Sequence, residues 1–352
     1  MLHILPWAVD PLGHGGTRRS AQICEWLADE AEAVDTWVVG TRDSNTRLRQ
    51  MLRHLPTALT QPRGVLSAQG RLKYFALALM ISERVQMMKP DLVVIETAPP
   101  HALLAGLVLS RMRLPYIVCP HNVESLVPRQ ALRDFVSRGA MMDAESEVVT
   151  RAASCVAISL LDEGIYKVLG ARTVRFPYFP VRSELERFEL IRKARLEKKD
   201  KVGFLVLGSV SNQPTLEGMR SIVKDLGRLR IFADEPIHVA GYRSESLHDL
   251  KNGAIRVHGM VSDSVLNRLL TEARCVVLRQ PFTTGGLTRL VELNLCGLPV
   301  LLTGGYLQVR GGDEFGIYVR DELPCDRGFY EKISEGSHER YQAKKISLQD
   351  VV

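Results

Sequence analysis

Residues 281–299 read PFTTGGLTRLVELNLCGLP. An apolar run, CVVLRQPF, ends in two threonines and the adjacent Gly285 and Gly286, and an amphipathic helical pattern follows with one arginine, Arg289, and one carboxylate, Glu292. Glycine lets a ligand approach backbone N–H groups closely. At a helix start those donors and the macrodipole favour an anion such as a diphosphate. Glu292 lies two turns beyond Gly285 at ~3.6 residues per turn, so both share one helix face. An ionised carboxylate only accepts hydrogen bonds, through two oxygens, which suits the vicinal hydroxyls of a ribose. The spacing therefore suits a nucleoside diphosphate. A plain turn followed by a surface carboxylate fits the same residues.

The elements that must position these groups alternate. LHILPWAV, TWVVGT, DLVVIET, PYIVCPHN, SCVAIS and ARTVRF read as strands, with helical spacing over 20–33, 70–88, 101–113 and 129–152 between them. The run FPYFPVRSELERFELIRKARLEKKDK then mixes acids and bases densely, and reads as a solvated linker with a surface helix. Alternation restarts with VGFLVLGS, PIHVAG, AIRVHG, CVVLRQ and PVLLTG, with helices from about 215, 263 and within the quoted stretch. The expected fold is α/β, two Rossmann-like doubly wound domains over 1–178 and 201–352 joined by a charged linker at 179–200. Ligands of such tandem domains bind in a cleft at the carboxyl ends of the strands.

Composition agrees. A chain of 352 residues exceeds one ordinary core, and 45% apolar with 24% charged residues is a globular mix. No apolar run reaches the ~18 residues of a membrane span, and the start lacks a signal-peptide pattern. The six scattered cysteines, without a CxxC pair, read as reduced thiols of a cytoplasmic protein. The net charge of +6 favours an anionic partner, with phosphate ligands, acidic membrane surfaces and nucleic acid all open. Against nucleic acid stand the 6% aromatic content and the absence of basic runs interleaved with aromatics.

In order and spacing, GHGGTRR, HNVES, RAASCVAISLLDEGIY, FLVLGSVSNQPTLEGMRSIV, IHVAGY, IRVHGMVSD, LLTEARCVVLRQPF and GGLTRLVELNLCGLPVL resemble the GT-B glycosyltransferases, specifically the retaining, family-4-like group. The resemblance spans most of the chain. It implies an enzyme moving a sugar, a hexose by the group's habit, from a nucleotide-diphosphate donor to a glycan, lipid-linked or small acceptor. On this reading the carbohydrate acceptor and the nucleotide sugar are the partners, and no cofactor is needed. The base, UDP or GDP type, stays open. The inner membrane face stays open as a place of peripheral contact. The resemblance places the donor on Gly208, Ser209, Arg243, Gly259, Met260, Val261, Thr283, Thr284, Gly285, Gly286, Leu287 and Glu292. It makes His121, Arg289 and Glu292 the catalytic candidates, and His14, Gly15, Gly16, Arg18 and Glu124 the acceptor-side loop.

The chain departs from the group in two places. The group's Glu-x7-Glu is reduced to its second member, with Thr284 in place of the first, and a hydroxyl is a weaker sugar contact than a carboxylate. The loop GSVSNQP also lacks the group's usual cations, so Arg289, or else Arg18, Arg19 or Arg243, must meet the diphosphate. These gaps keep a non-catalytic nucleotide-sugar-binding subunit in view as an alternative. Also in view are a glycosyltransferase acting on nucleic acid and a nucleotide-sugar epimerase. No D-x-D occurs, so no carboxylate pair is evident to chelate a metal. Turnover is accordingly expected to survive EDTA. Loss of activity with chelator, restored by manganese or magnesium, would show the site misread.

Overall fold

A computed structural model describes residues 1–39, 64–112, 114–128, 132–210, 213–228, 235–279, 284–303, 317–320, 323–324, 327–334 and 346–352. The chain divides into two compact units. The first comprises Met1–Tyr178, Thr284–Gly286 and Ala343–Val352; the second comprises Phe179–Thr283 and Leu287–Gln342.

The first unit carries strands β1 (Leu2–Leu5), β2 (Asp35–Val38), β3 (Val93–Thr97), β4 (Tyr116–Pro120), β5 (Ser154–Ala157) and β6 (Thr173–Arg175). They form one parallel sheet in the order β2-β1-β3-β4-β5-β6. Its helices are α1 (Gly15–Glu30), α2 (Ala68–Met88), α3 (Pro99–Leu109), α4 (Arg138–Arg151) and α5 (Leu160–Val168). Because successive strand side chains face opposite ways, each strand feeds two cores. Val93, Ile95 and Val118 join Tyr74, Leu77, Ile81, Leu104 and Val148 of α2, α3 and α4. Val94, Ile117 and Cys119 join Ile23, Trp26 and Leu27 of α1 on the other face. The strand order reverses direction between β1 and β3, which makes the carboxyl ends of those strands the switch point.

The second unit carries α6 (Arg182–Glu197), β7 (Phe204–Leu207), α7 (Gln213–Arg228), β8 (Ile237–Ala240), β9 (Ile255–Gly259), α8 (Asp263–Glu272), β10 (Cys275–Arg279), α9 (Thr288–Leu295), β11 (Val300–Thr303), β12 (Ile317–Arg320) and α10 (Arg327–Ser334). Its parallel sheet runs β9-β8-β7-β10-β11-β12, with the reversal between β7 and β10. The same alternation holds. Leu205, Val276, Leu278 and Leu302 face α6, α8 and α9, whereas Phe204, Val206, Val277 and Leu301 face α7.

Three sequence expectations need correcting. The charged run is not a solvated linker: Phe188, Ile191, Arg192 and Arg195 of α6 are buried in the second unit. These positions recur at the spacing of one helix face, and the two arginines on it are held by backbone carbonyls. The last residues do not stay with the second unit either. Trp26 Nε1 donates to Ile346 O at 3.1 Å, Leu348 N to Glu30 at 2.7 Å and Arg172 to Val352 O at 2.8 Å, so α11 (Leu348–Val351) completes the first. Finally, α1 begins at Gly15 rather than near 20, because His14 Nδ1 accepts the Gly16 N–H at 3.1 Å and caps the glycine loop itself.

Arg195 bears on stability. Its guanidinium donates to Leu270 O at 2.6 Å, Thr271 O at 3.1 Å and Ala273 O at 2.8 Å, satisfying carbonyls at the carboxyl end of α8, and to Gly297 O beyond α9 at 3.2 Å. Burial lowers its pKa to about 10, so the charge survives. Arg195→Met keeps the apolar volume but strands those carbonyls, and should cost about 2–4 kcal/mol in equilibrium urea unfolding. A cost below ~0.5 kcal/mol, the range of ordinary surface changes, would mean that the carbonyls find other partners.

Candidate functional site

In the first unit the alternation of β1 and β3 turns His3 and Glu96 toward the α1 face, between apolar neighbours that pack the opposite way. Glu96 is wholly buried. Its Oε1 meets His3 Nε2 at 2.9 Å; its Oε2 meets His121 Nε2 at 2.6 Å and accepts the Ser20 hydroxyl at 2.5 Å. Burial by itself raises this carboxyl, but the bonds from His121 and His3, and the charges they would carry, outweigh it and hold the group at about 2. Trp7 donates to Ser20 Oγ at 3.1 Å, and its ring stands edge-on to His14 at 4.9 Å and to His121 at 5.4 Å. Gly16 must be small here, since a Cβ would lie 2.2 Å from the Trp7 ring.

His121 and its neighbours leave β4 as a braced loop. The Glu145 carboxylate accepts from Glu124 N, Ser125 N and Ser125 Oγ at 2.6–2.9 Å, and the single Tyr166 hydroxyl hydrogen is shared between Glu145 Oε1 at 3.0 Å and Asn122 O at 2.9 Å. Glu124 itself is buried and accepts from Asn122 Nδ2 at 3.0 Å. Of the acceptor-side candidates, His14 and Gly15 are exposed at the start of α1, and Arg18 donates to Leu12 O at 3.4 Å. Arg19, one of the alternative cations, is buried: it donates to Gln22 at 2.5 Å and stacks over Phe176 at 4.9 Å.

The glycine pair behaves differently from the sequence expectation. The Gly285 N–H, expected to be bare for a phosphate, is bound by the Asp162 carboxylate at 3.0 and 3.1 Å. The Thr284 hydroxyl both accepts from Val123 N at 3.1 Å and donates to Val123 O at 3.2 Å. Gly285 is at φ +88°, and a Cβ there would fall 2.1 Å from Asn122 Oδ1, so no other residue fits. Thr283 lies outside the described residues.

The second unit holds the remaining candidates. A crevice at the switch point is lined by Val206, Leu207, Thr215, Met219, Arg279 and Arg289. From the first turn of α9, Arg289 reaches back to Leu207 O at 2.5 Å, beside Gly208 at the end of β7. A Cβ on Gly208 would meet Met219 at 2.3 Å. At the start of α9, Leu287 offers no side-chain cap and no acid occupies the first turn, while Glu292 is buried one turn further on. Gly208, Gly241 and Gly259 follow one another along the carboxyl edge through Gly208 N to Ala240 O and Gly241 N to Gly259 O bonds at 3.2 and 3.0 Å. Ser209 follows Gly208 directly. Beyond them Val261 packs on the core, Met260 is 73% exposed, and exposed Arg243 stacks on Tyr242 at 5.3 Å. Among the described residues, no group of three or more His, Cys, Asp or Glu is placed to hold a metal ion, and no helix is long and apolar enough to cross a membrane.

Residues 14–193, half of the chain, match the family model described as a glycosyl transferase 4-like domain. No curated protein matches the sequence. Among solved structures, sucrose-phosphate synthase from Thermosynechococcus elongatus is similar at 14% identity and a TM-score of 0.61, over 94% of this chain and 88% of that one. HepE from Anabaena, in complex with UDP and glucose, is similar at 14% identity and a TM-score of 0.57 over the same shares. The UDP-GlcNAc 2-epimerase from Methanocaldococcus jannaschii is similar at 13% identity and a TM-score of 0.53, over 97% and 94%. Such likenesses establish the fold, which transferases and an epimerase share.

Asp162 yields a test of its own. Burial raises its carboxyl to about 6, against the pull of the Gly285 N–H and the Ser159 hydroxyl. With an unfolded value near ~3.9, folding favours the protonated form, so this stabilisation is present below about pH 4 and lost as pH rises through about 6. Measured against Asp162→Asn, the wild type should gain about 2–3 kcal/mol in unfolding free energy between pH 7 and pH 4. A difference constant over that range would show that Asp162 stays ionised.

Proposed function

The chain belongs to the glycosyl transferase 4-like family, and from that premise we propose that this glycosyltransferase takes its sugar from a nucleoside diphosphate donor bound by the second unit. The observation that carries the reading is the placement of Arg289. The loop after β7 has no cation of its own, yet a guanidinium from α9 stands against Leu207 O at the end of that strand. A diphosphate in the β7/β10 crevice would meet this charge and the uncapped N–H groups opening α9. Glu292 on the same helix then takes the ribose hydroxyls.

The chemistry follows from the donor. Breaking the sugar–phosphate bond builds positive charge on the sugar and negative charge on the leaving diphosphate. A fixed guanidinium and fixed N–H groups stabilise the second charge more in the transition state than before it. The acceptor on this reading is a hydroxyl-bearing carbohydrate, lipid-linked or small molecule, and the sugar keeps its anomeric configuration. HepE, a structural neighbour, is described in complex with UDP and glucose, which favours a uridine donor as the first to try.

The test is a thermal-shift panel of nucleotide sugars, followed by titration calorimetry of the best nucleoside diphosphate against three proteins. Glu292→Ala and Arg289→Ala should each weaken binding by about 1.5–3 kcal/mol, the range for hydrogen bonds to charged groups. The arginine variant should in addition slow turnover. Folded variants that bind the nucleotide as tightly as wild type would remove the second unit as the donor site.

A further inference from the structure

The Glu96 network ends on one uncommitted atom. Glu96 is ionised and acceptor-only, so both imidazole Nε2 atoms that meet it, those of His3 and His121, carry hydrogen. When the His121 ring carries a single hydrogen, its place on Nε2 leaves the lone pair on Nδ1. This Nδ1 is buried and hydrogen-bonds to no group among the described residues. His121 is only 6% exposed, so the nitrogen is largely withdrawn from solvent as well. A buried polar atom left alone is unfavourable, so a hydroxyl that another molecule brings to it gains a ready acceptor.

The rest of the network immobilises the carboxylate. Donors arrive from three elements, His3 on β1, Ser20 on α1 and His121 after β4, while Trp7 both donates to Ser20 and stands edge-on to the His121 ring. A carboxylate pinned at both oxygens cannot swing away, and a ring flanked by an indole edge resists turning over. We propose that Glu96 is a positioning residue for sugar transfer: it holds His121 in the tautomer whose Nδ1 accepts a hydrogen bond from a sugar hydroxyl. The proposal rests on the glycosyl-transfer reading above. The hydroxyl belongs either to the donor sugar or to the acceptor, and the two give different kinetics.

The carboxylate matters here in a way an amide cannot match. Glutamine in its place offers one oxygen and one NH2 to three donors, so either His121 loses its partner or its proton moves to Nδ1. Glu96→Gln should therefore lower kcat for transfer about ten- to a hundredfold, the scale of a misplaced reacting group, with nucleoside diphosphate affinity unchanged. If the hydroxyl is the donor's, hydrolysis of the nucleotide sugar falls in parallel; if it is the acceptor's, hydrolysis is spared and only transfer falls. In a His121→Ala background Glu96→Gln should cost nothing further, because a residue acting through His121 has nothing left to position. Losses that multiply would assign Glu96 a purely structural role and overturn the proposal. Imidazole 15N NMR of the wild type reads the tautomer without any activity: Nε2 protonated and Nδ1 bare is expected, and a neutral His121 protonated at Nδ1 overturns the proposal even if Glu96→Gln does not fold. A wild type that neither transfers nor hydrolyses any nucleotide sugar, yet shows the expected tautomer, would fault the transfer reading and leave the positioning geometry standing.

Discussion

A single buried carboxylate ties the first unit together. Glu96 accepts from residues of the successive elements β1 and α1 and of the much later loop after β4, which meet at the switch point of the sheet. Removing a charge from water is costly, and the cost is offset only when every oxygen is well bonded. The position of α1 is thereby set by more than apolar contact, because a shift of that helix would break the Ser20 bond as well as uncover Ile23 and Leu27. The loop carrying His121 inherits the same precision, and Glu145 repeats the device one layer out by accepting four donors from Glu124, Ser125 and Tyr166.

The second unit solves a related problem with the opposite charge. Arg195 and Arg192 lie within α6 and meet carbonyls at the ends of α8 and α9, Arg192 donating at 3.3 Å to Asn294 O, which also accepts from Gly297 N at 2.8 Å. Arg289 does the same for Leu207 O, but from a half-buried position at the crevice. Two of these guanidiniums are sealed in the core, whereas the third lines a small crevice. Their shared chemistry with backbone oxygen explains why a count of charges along the chain says little about which of them serve function.

Much of this was legible in the sequence. Alternating strand and helix periods located both sheets, but the helix face that Gly285 and Glu292 were expected to share does not form, because Gly285 sits at φ +88° before α9 begins at Thr288. The misses have physical causes. Phe188, Ile191, Arg192 and Arg195 do form a helical stripe, but two of its four members are arginines, so the run reads as solvated. His3 and Glu96 carried a signal too, since both are polar residues at positions whose strand neighbours are apolar and whose period turns them to one face. Glu96 instead reads as the polar end of a strand. The Asp162 bond to Gly285 joins residues 123 apart, and no local pattern encodes such a pairing. It also redirects a glycine that looked free for a phosphate.

The return of the chain's last residues to the first unit has a consequence for synthesis. Domains ordinarily fold in the order in which they leave the ribosome, the earlier one first. Here Trp26 and Glu30 of α1 find their partners in Ile346 and Leu348, more than three hundred residues later. The unit translated first is thus completed last, and during that interval one face of α1 stays open to water and to any chaperone that binds apolar helix surfaces.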